Sequence, residues 1–159
     1  MEYASLIAEF GAHYGMEGLA PDENGAVGFD VDGRTMALQR IEETDRVVAT
    51  LELCEAPDAG SAIVNRLLMR ANQALFVMDG MSLALHPEKN SYRLLAITDI
   101  AALDFVGFDA WVAQVLDRAD KWGAFLDKFL PLAAENEEKG AETPELPPDF
   151  PLSADFMRV

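Results

Sequence analysis

Asp32-Gly33 stands between two runs of alternating apolar residues. Val27, Phe29 and Val31 come before it, separated by Gly28 and Asp30; Met36 and Leu38 come after it. A period of two marks a strand with one buried face. Asp-Gly favours the two-residue primed turn that closes an antiparallel hairpin. Such a turn sets Val31 opposite Arg34, Phe29 opposite Met36 and Val27 opposite Leu38, so apolar meets apolar on a single face. A slip of one residue would turn that whole set to water. The hairpin therefore commits the chain to an antiparallel sheet, and the remaining sequence must cover it.

The flanking periods supply the cover. Tyr3, Leu6, Ile7, Phe10 and Tyr14 fall on one helical stripe, which predicts a first helix over 2–14. Three strands are expected within 25–54, the third over 47–54 after a polar loop at 42–45. A second helix is expected over 59–76, with capping residues in Pro57-Asp58-Ala59-Gly60-Ser61. Its apolar residues form two adjacent stripes, one with Ile63, Leu67 and Ala74 and the other with Val64, Leu68, Ala71 and Leu75. An arc that wide suits a helix covered on one side by its own sheet and on the other by a partner. Met81, Leu83 and Leu85 alternate as a fourth strand, 87–90 is a hairpin loop and 92–98 is a fifth strand. Asp104 or Asp109 can cap a long third helix reaching about residue 130. The fold class is α+β, an antiparallel sheet with helices in the order α-β-β-β-α-β-β-α.

Past Pro131 the composition changes. An acidic run over 135–145 leads into Pro144, Pro147, Pro148 and Pro151. The chain accordingly divides into an α+β domain over 1–132 and an acidic, proline-rich C-terminal tail over 133–159. Phe150, Leu152, Phe156 and Met157 are apolar exceptions in that tail, which could seat it in a groove of its own or a neighbouring subunit.

Twelve basic residues against twenty-eight acidic ones give a formal charge of −16. That field repels phosphate backbones and anionic membranes, so nucleic acid is not an expected partner. No stretch reaches the ~18–20 apolar residues of a membrane span. Met1-Glu2-Tyr3-Ala4-Ser5 lacks the basic opening of a signal peptide. The one cysteine, Cys54, has no partner for an internal disulfide, which points to a reducing cytoplasm.

Signs of chemistry are sparse. His13 and His86 sit on different elements, and neither belongs to a metal-ligand spacing. Cys54 closes a strand with no base near it in sequence, and Gly11, Gly15 and Gly18 lack the lysine and context of a phosphate loop. Glu42-Glu43 and Glu137-Glu138 read as solvated loop and tail charges. No catalytic residue, metal ligand or cofactor is expected, and the chain reads as a binding protein rather than an enzyme.

The text from the second helix through the fifth strand is the most recognisable. It runs Leu67-Leu68-Met69-Arg70-Ala71-Asn72, Gly80-Met81-Ser82-Leu83-Ala84-Leu85 and Tyr92-Arg93-Leu94-Leu95-Ala96. This resembles the class I type III secretion chaperones, the Tir-chaperone family, over roughly residues 3–130. The proline-rich tail is a departure. The resemblance implies a bacterial cytoplasmic homodimer, joined through the second helix and the strand after it. It also implies binding, in extended form, of the N-terminal segment of a secreted effector, which is kept soluble and competent for export without nucleotide.

On that footing Ile63, Leu67, Ala71, Ala74, Met81, Leu83 and Leu85 are the expected dimer surface. A groove between the first helix and the opening strands suits an extended peptide added at a sheet edge. Leu6, Ile7, Phe10, Phe29, Met36, Leu38 and Leu51 are its candidate pocket residues. A regulatory or adaptor protein of the same fold, without an export role, is the alternative. A small enzyme with an unrecognised carboxylate site is a third reading.

Overall fold

A computed structural model describes residues 2–140 and 150–151. Helix α1 spans Tyr3–His13, and strands β1 to β3 span Ala26–Val31, Arg34–Ile41 and Arg46–Glu55. Helix α2 is Ser61–Asp79, β4 is Met81–Leu85, β5 is Ser91–Asp99 and α3 is Phe105–Glu138. The strands make one sheet in the order β1-β2-β3-β5-β4, which leaves β1 and β4 as its edges. The β1–β2 register pairs Val31 with Arg34, Phe29 with Met36 and Val27 with Leu38, as the alternation requires. Asp32 and Gly33 both have positive φ, 50° and 78°, the primed-turn geometry that an Asp-Gly pair accepts.

The described chain forms two compact units, residues 1–51 with 95–117 and residues 52–94 with 118 onward. In the first, α1 lies on the hairpin. Phe10 meets Phe29 and Phe108 with ring centroids 5.4 Å apart in each case. Leu6, Ile7, Met36, Leu38, Val47 and Leu51 fill the space around them. In the second, Val64, Leu67, Leu68 and Leu75 of α2 are buried, together with Leu83, Tyr92, Leu94, Trp122 and Leu126.

Four local expectations need correction. Tyr14 is not on the buried stripe of α1: it is 53% exposed, and its hydroxyl donates to Asp109 Oδ1 at 2.6 Å. Of the two caps the sequence offers for α3, Asp104 takes the role, accepting from Gly107 N at 2.8 Å, since the helix begins at Phe105 and Asp109 lies within it. Helix α2 starts later than expected, after Gly60, whose φ of 77° is left-handed. It also runs three residues further, to Asp79, which is fixed by Arg118 at 2.9 Å.

The fourth correction concerns α3, which does not stop near residue 130 but continues through Pro131 to Glu138. A proline removes one N–H and crowds the carbonyl four residues back. Tertiary contacts offset that loss. Ala133 is fully buried, and the Glu137 carboxylate accepts the Gly60 N–H at the start of α2. The first residues of the expected tail are therefore helical.

Candidate functional site

The first surface is the free edge of β1. Across a two-residue turn, the flanking pair exchanges main-chain hydrogen bonds and every second pair after it does likewise. Val31, Phe29 and Val27 thus bond toward β2, and Arg40 N donating to Gly25 O at 3.0 Å confirms the phase. The N–H and C=O groups of Ala26, Gly28 and Asp30 point the other way. Asp22 occupies those of Ala26: its Oδ1 accepts the Ala26 N–H at 2.8 Å, and its own N–H donates to Ala26 O at 2.8 Å. Among the described residues, Gly28 and Asp30 are left as the open stretch of the edge. A Cβ added at Gly28 would meet only Met36 O, at 3.9 Å, so the outer face there is open. Asp30 Oδ1 accepts from Thr35 Oγ1 at 2.6 Å, which holds its side chain on β2.

Beside the start of β1 lies a polar depression of about 330 Å³ lined by Glu23, Asn24, Arg40, Ile41, Glu42 and Glu43. Its cation is already committed, because Arg40 Nη2 donates to Asp45 Oδ1 at 2.8 Å. That hydrogen bond raises the arginine pKa further. Three carboxylates are left to set the sign of the depression, which suits a basic side chain.

The second surface is the outer face of α2 with β4. Asn65, Met69, Asn72 and Phe76 recur at helical spacing on one stripe. Met69 is 76% exposed, Phe76 64% and the adjoining Val77 71%, while Leu85 on β4 is 45% exposed. A shallow groove of about 230 Å³ runs between Met69, Asn72, Leu83, Leu85 and Tyr92. Asn72 closes part of the β4 edge from the side. Its Nδ2 donates to Leu83 O at 2.9 Å and its Oδ1 accepts from Leu83 N at 2.6 Å. The Tyr92 hydroxyl donates to Asn65 Oδ1 at 2.8 Å, and burial pushes its pKa up.

The sequence-derived candidates divide between core and surface. Leu6, Ile7, Phe10, Phe29, Met36, Leu38 and Leu51 come together, buried, in the core of the first unit. Leu67, Ala71, Ala74, Met81 and Leu83 are buried in the second unit, Ile63 is half-buried, and only Leu85 is well exposed. Met69, Phe76 and Val77 were not among the candidates. The seven-residue spacing of Met69 and Phe76 was the signal for them.

The histidines serve locally. His86 Nδ1 accepts from Glu88 N and Lys89 N in the hairpin loop, and His13 packs on Tyr14 and Phe105. Among the described residues, no cluster of three or more His, Cys, Asp or Glu could hold a metal, and no helix is long and apolar enough to cross a membrane.

The model of the Tir chaperone protein (CesT) family matches residues 5–123. The chain belongs to the Tir chaperone family. Solved structures agree on the fold. A chain of the ExsC–ExsE complex superposes with a TM-score of 0.71 at 24% identity, covering 79% of this chain and 97% of its own. A chain of the HopA1–SchA chaperone–effector complex gives 0.66 at 18% identity, covering 77% and 93%. A chain of the Yersinia pestis complex between the type III secretion chaperone SycH and a YscM2 fragment gives 0.57 at 21%, covering 74% and 97%. No curated protein matches the chain. The family match ends at residue 123, within α3.

Proposed function

We propose that this Tir chaperone family member is a cytoplasmic type III secretion chaperone. It acts as a homodimer, binds the N-terminal segment of a secreted effector in extended form and hands it on without chemistry or nucleotide. Family membership over residues 5–123 is the observation that carries the reading. The family resemblance and the named complexes of its structural relatives support the partner class.

In this reading the client adds a strand to β1 at Gly28 and Asp30. Magnitudes say how much that can do. Two open residues offer four main-chain hydrogen bonds, each worth about 0.5–1.5 kcal/mol net. Ordering a five-residue client strand costs about 5–10 kcal/mol in backbone entropy. The main chain therefore positions the client, and apolar burial must hold it: about 300 Å² at roughly 25 cal/mol per Å² supplies the difference. Tyr14 and Val106 are exposed apolar side chains of the same unit that can contribute. Leu6, Ile7, Phe10, Phe29, Met36, Leu38 and Leu51 serve as the packed floor that keeps β1 in shape. The carboxylates around Glu23, Glu42 and Glu43 favour a basic residue at one end of the client strand.

Met69, Phe76, Val77 and Leu85 form the apolar part of the self-association face, with Ile63 at its margin. A two-fold dimer buries the same patch of both copies. Co-expression with the product of the neighbouring gene tests the reading. The effector should co-purify and lose solubility when the chaperone is omitted. A secreted neighbour equally soluble alone and never retained would overturn it.

A further inference from the structure

The aromatic rings of Trp122 and Phe125 on α3 carry a third ring from outside the helix. Phe150 meets Trp122 with centroids 5.5 Å apart and Phe125 at 5.2 Å, both edge to face. Phe125 stacks in turn on Phe129 at 5.2 Å. Trp122, Phe125 and Phe129 are buried while Phe150 is half-exposed, so Phe150 is the outermost member of the cluster. Its neighbours in sequence are Pro147, Pro148, Asp149 and Pro151. Prolines lack the N–H that would tie a main chain into a ladder.

Chain length lets this ring both seat and leave. Helix α3 rises roughly 20 Å between Phe125 and Glu138. The stretch from Gly140 to Phe150 can reach about 33–36 Å when extended. A short flexible link presents its cargo at an effective concentration on the order of 1 mM. The resident is also an imperfect occupant, because the buried Trp122 indole N–H has no acceptor among the described residues. An incoming segment that offered a main-chain carbonyl as well as a ring would satisfy a donor left unpaired among the described residues.

We propose that the Trp122–Phe125 slot is a docking site for an aromatic side chain of an extended polypeptide, and that Phe150 occupies it in cis as a displaceable plug. Naming the effector as the polypeptide that displaces it rests on the chaperone reading; the slot and its plug do not. The C-terminal segment then sets a threshold: a client must outcompete the chain's own phenylalanine before it gains this anchor.

The test uses full-length protein with Trp111→Phe, which leaves Trp122 as the only indole, and a synthetic peptide of residues 144–159 as the probe. An intrinsic Kd near 0.1 mM against a cis concentration near 1 mM weakens trans binding about tenfold in the plugged chain. Titration followed by Trp122 emission should therefore show the peptide binding Phe150→Ala about tenfold more tightly than the parent. Phe150→Leu, which keeps an apolar plug, should fall between. The same peptide carrying Phe150→Ala should not bind, and one carrying Phe156→Ala should bind normally. Equal affinity of parent and both variants, or peptide binding that ignores loss of Phe150, overturns the proposal.

Discussion

Replacing Asn72 by alanine isolates the bond set that finishes the β4 edge. The side-chain amide satisfies both the N–H and the C=O of Leu83, at 2.6 and 2.9 Å, from a half-buried position. Each hydrogen bond is worth about 0.5–1.5 kcal/mol net, so Asn72→Ala should cost roughly 1–3 kcal/mol. For a chain of this size 1 kcal/mol moves Tm by about 2–4 °C, which sets the expected drop at roughly 2–12 °C. Circular-dichroism melts at one fixed protein concentration measure it, because dimerisation makes Tm concentration-dependent. Asn72→Asp sharpens the test. A carboxylate keeps the Leu83 N–H but faces the Leu83 carbonyl oxygen, so its folded pKa lies above its unfolded value. The penalty is full above the folded pKa and disappears as pH falls toward the unfolded one. The Tm gap between Asn72→Asp and the parent should narrow from pH 7.5 to pH 5, whereas the alanine gap should not. An alanine variant that melts with the parent would refute the reasoning.

Three further outcomes follow from the packing. Gly60→Ala should destabilise by more than about 3 kcal/mol in chemical denaturation, because it forces a side chain into left-handed φ and sets Cβ 2.6 Å from the backbone nitrogen of Ala134. Tyr3 is buried with a hydroxyl that lacks a partner among the described residues, and burial raises its pKa from 10.0 to about 12. The unfolded chain ionises first, so stability should fall as pH rises from 10 to 12. Tyr3→Phe should remove about 2–3 kcal/mol of that fall and be neutral or stabilising at pH 7. Met69→Glu with Phe76→Glu should halve the sedimentation mass from twice the 17.4 kDa chain toward a single chain, with helix content unchanged.

The parts of the fold that were legible are those in which local pattern and tertiary structure agree. The hairpin register could be read because Asp32-Gly33 and the alternation around it specify the same pairing. Helix α3 ran past Pro131 because Ala133 and Glu137 find their contacts at Gly60 and elsewhere in the second unit, far away in sequence. Helix α2 overran for a similar reason, since Asp79 is held by Arg118. The site was harder. Periodicity shows that Leu6, Phe10 and Met36 face something apolar but not whether that is their own core. Met69 and Phe76 lie outside the two stripes that dominate α2. The open edge at Gly28 and Asp30 depends on Asp22 capping Ala26, which alternation alone does not show. Leu152, Phe156 and Met157 lie outside the described residues, and only Phe150 of that apolar group has a described position, on α3.

Hydrogen–deuterium exchange at single-residue resolution, with and without the co-purified effector, addresses strand addition at β1 directly. Amides of Val27 and Phe29 are bonded to β2 in either state, while those of Gly28 and Asp30 face outward in the free protein. Client binding should slow exchange at Gly28 and Asp30 by at least tenfold and leave Val27 and Phe29 slow throughout. Unchanged fast exchange at Gly28 and Asp30 in a saturated complex would contradict the account.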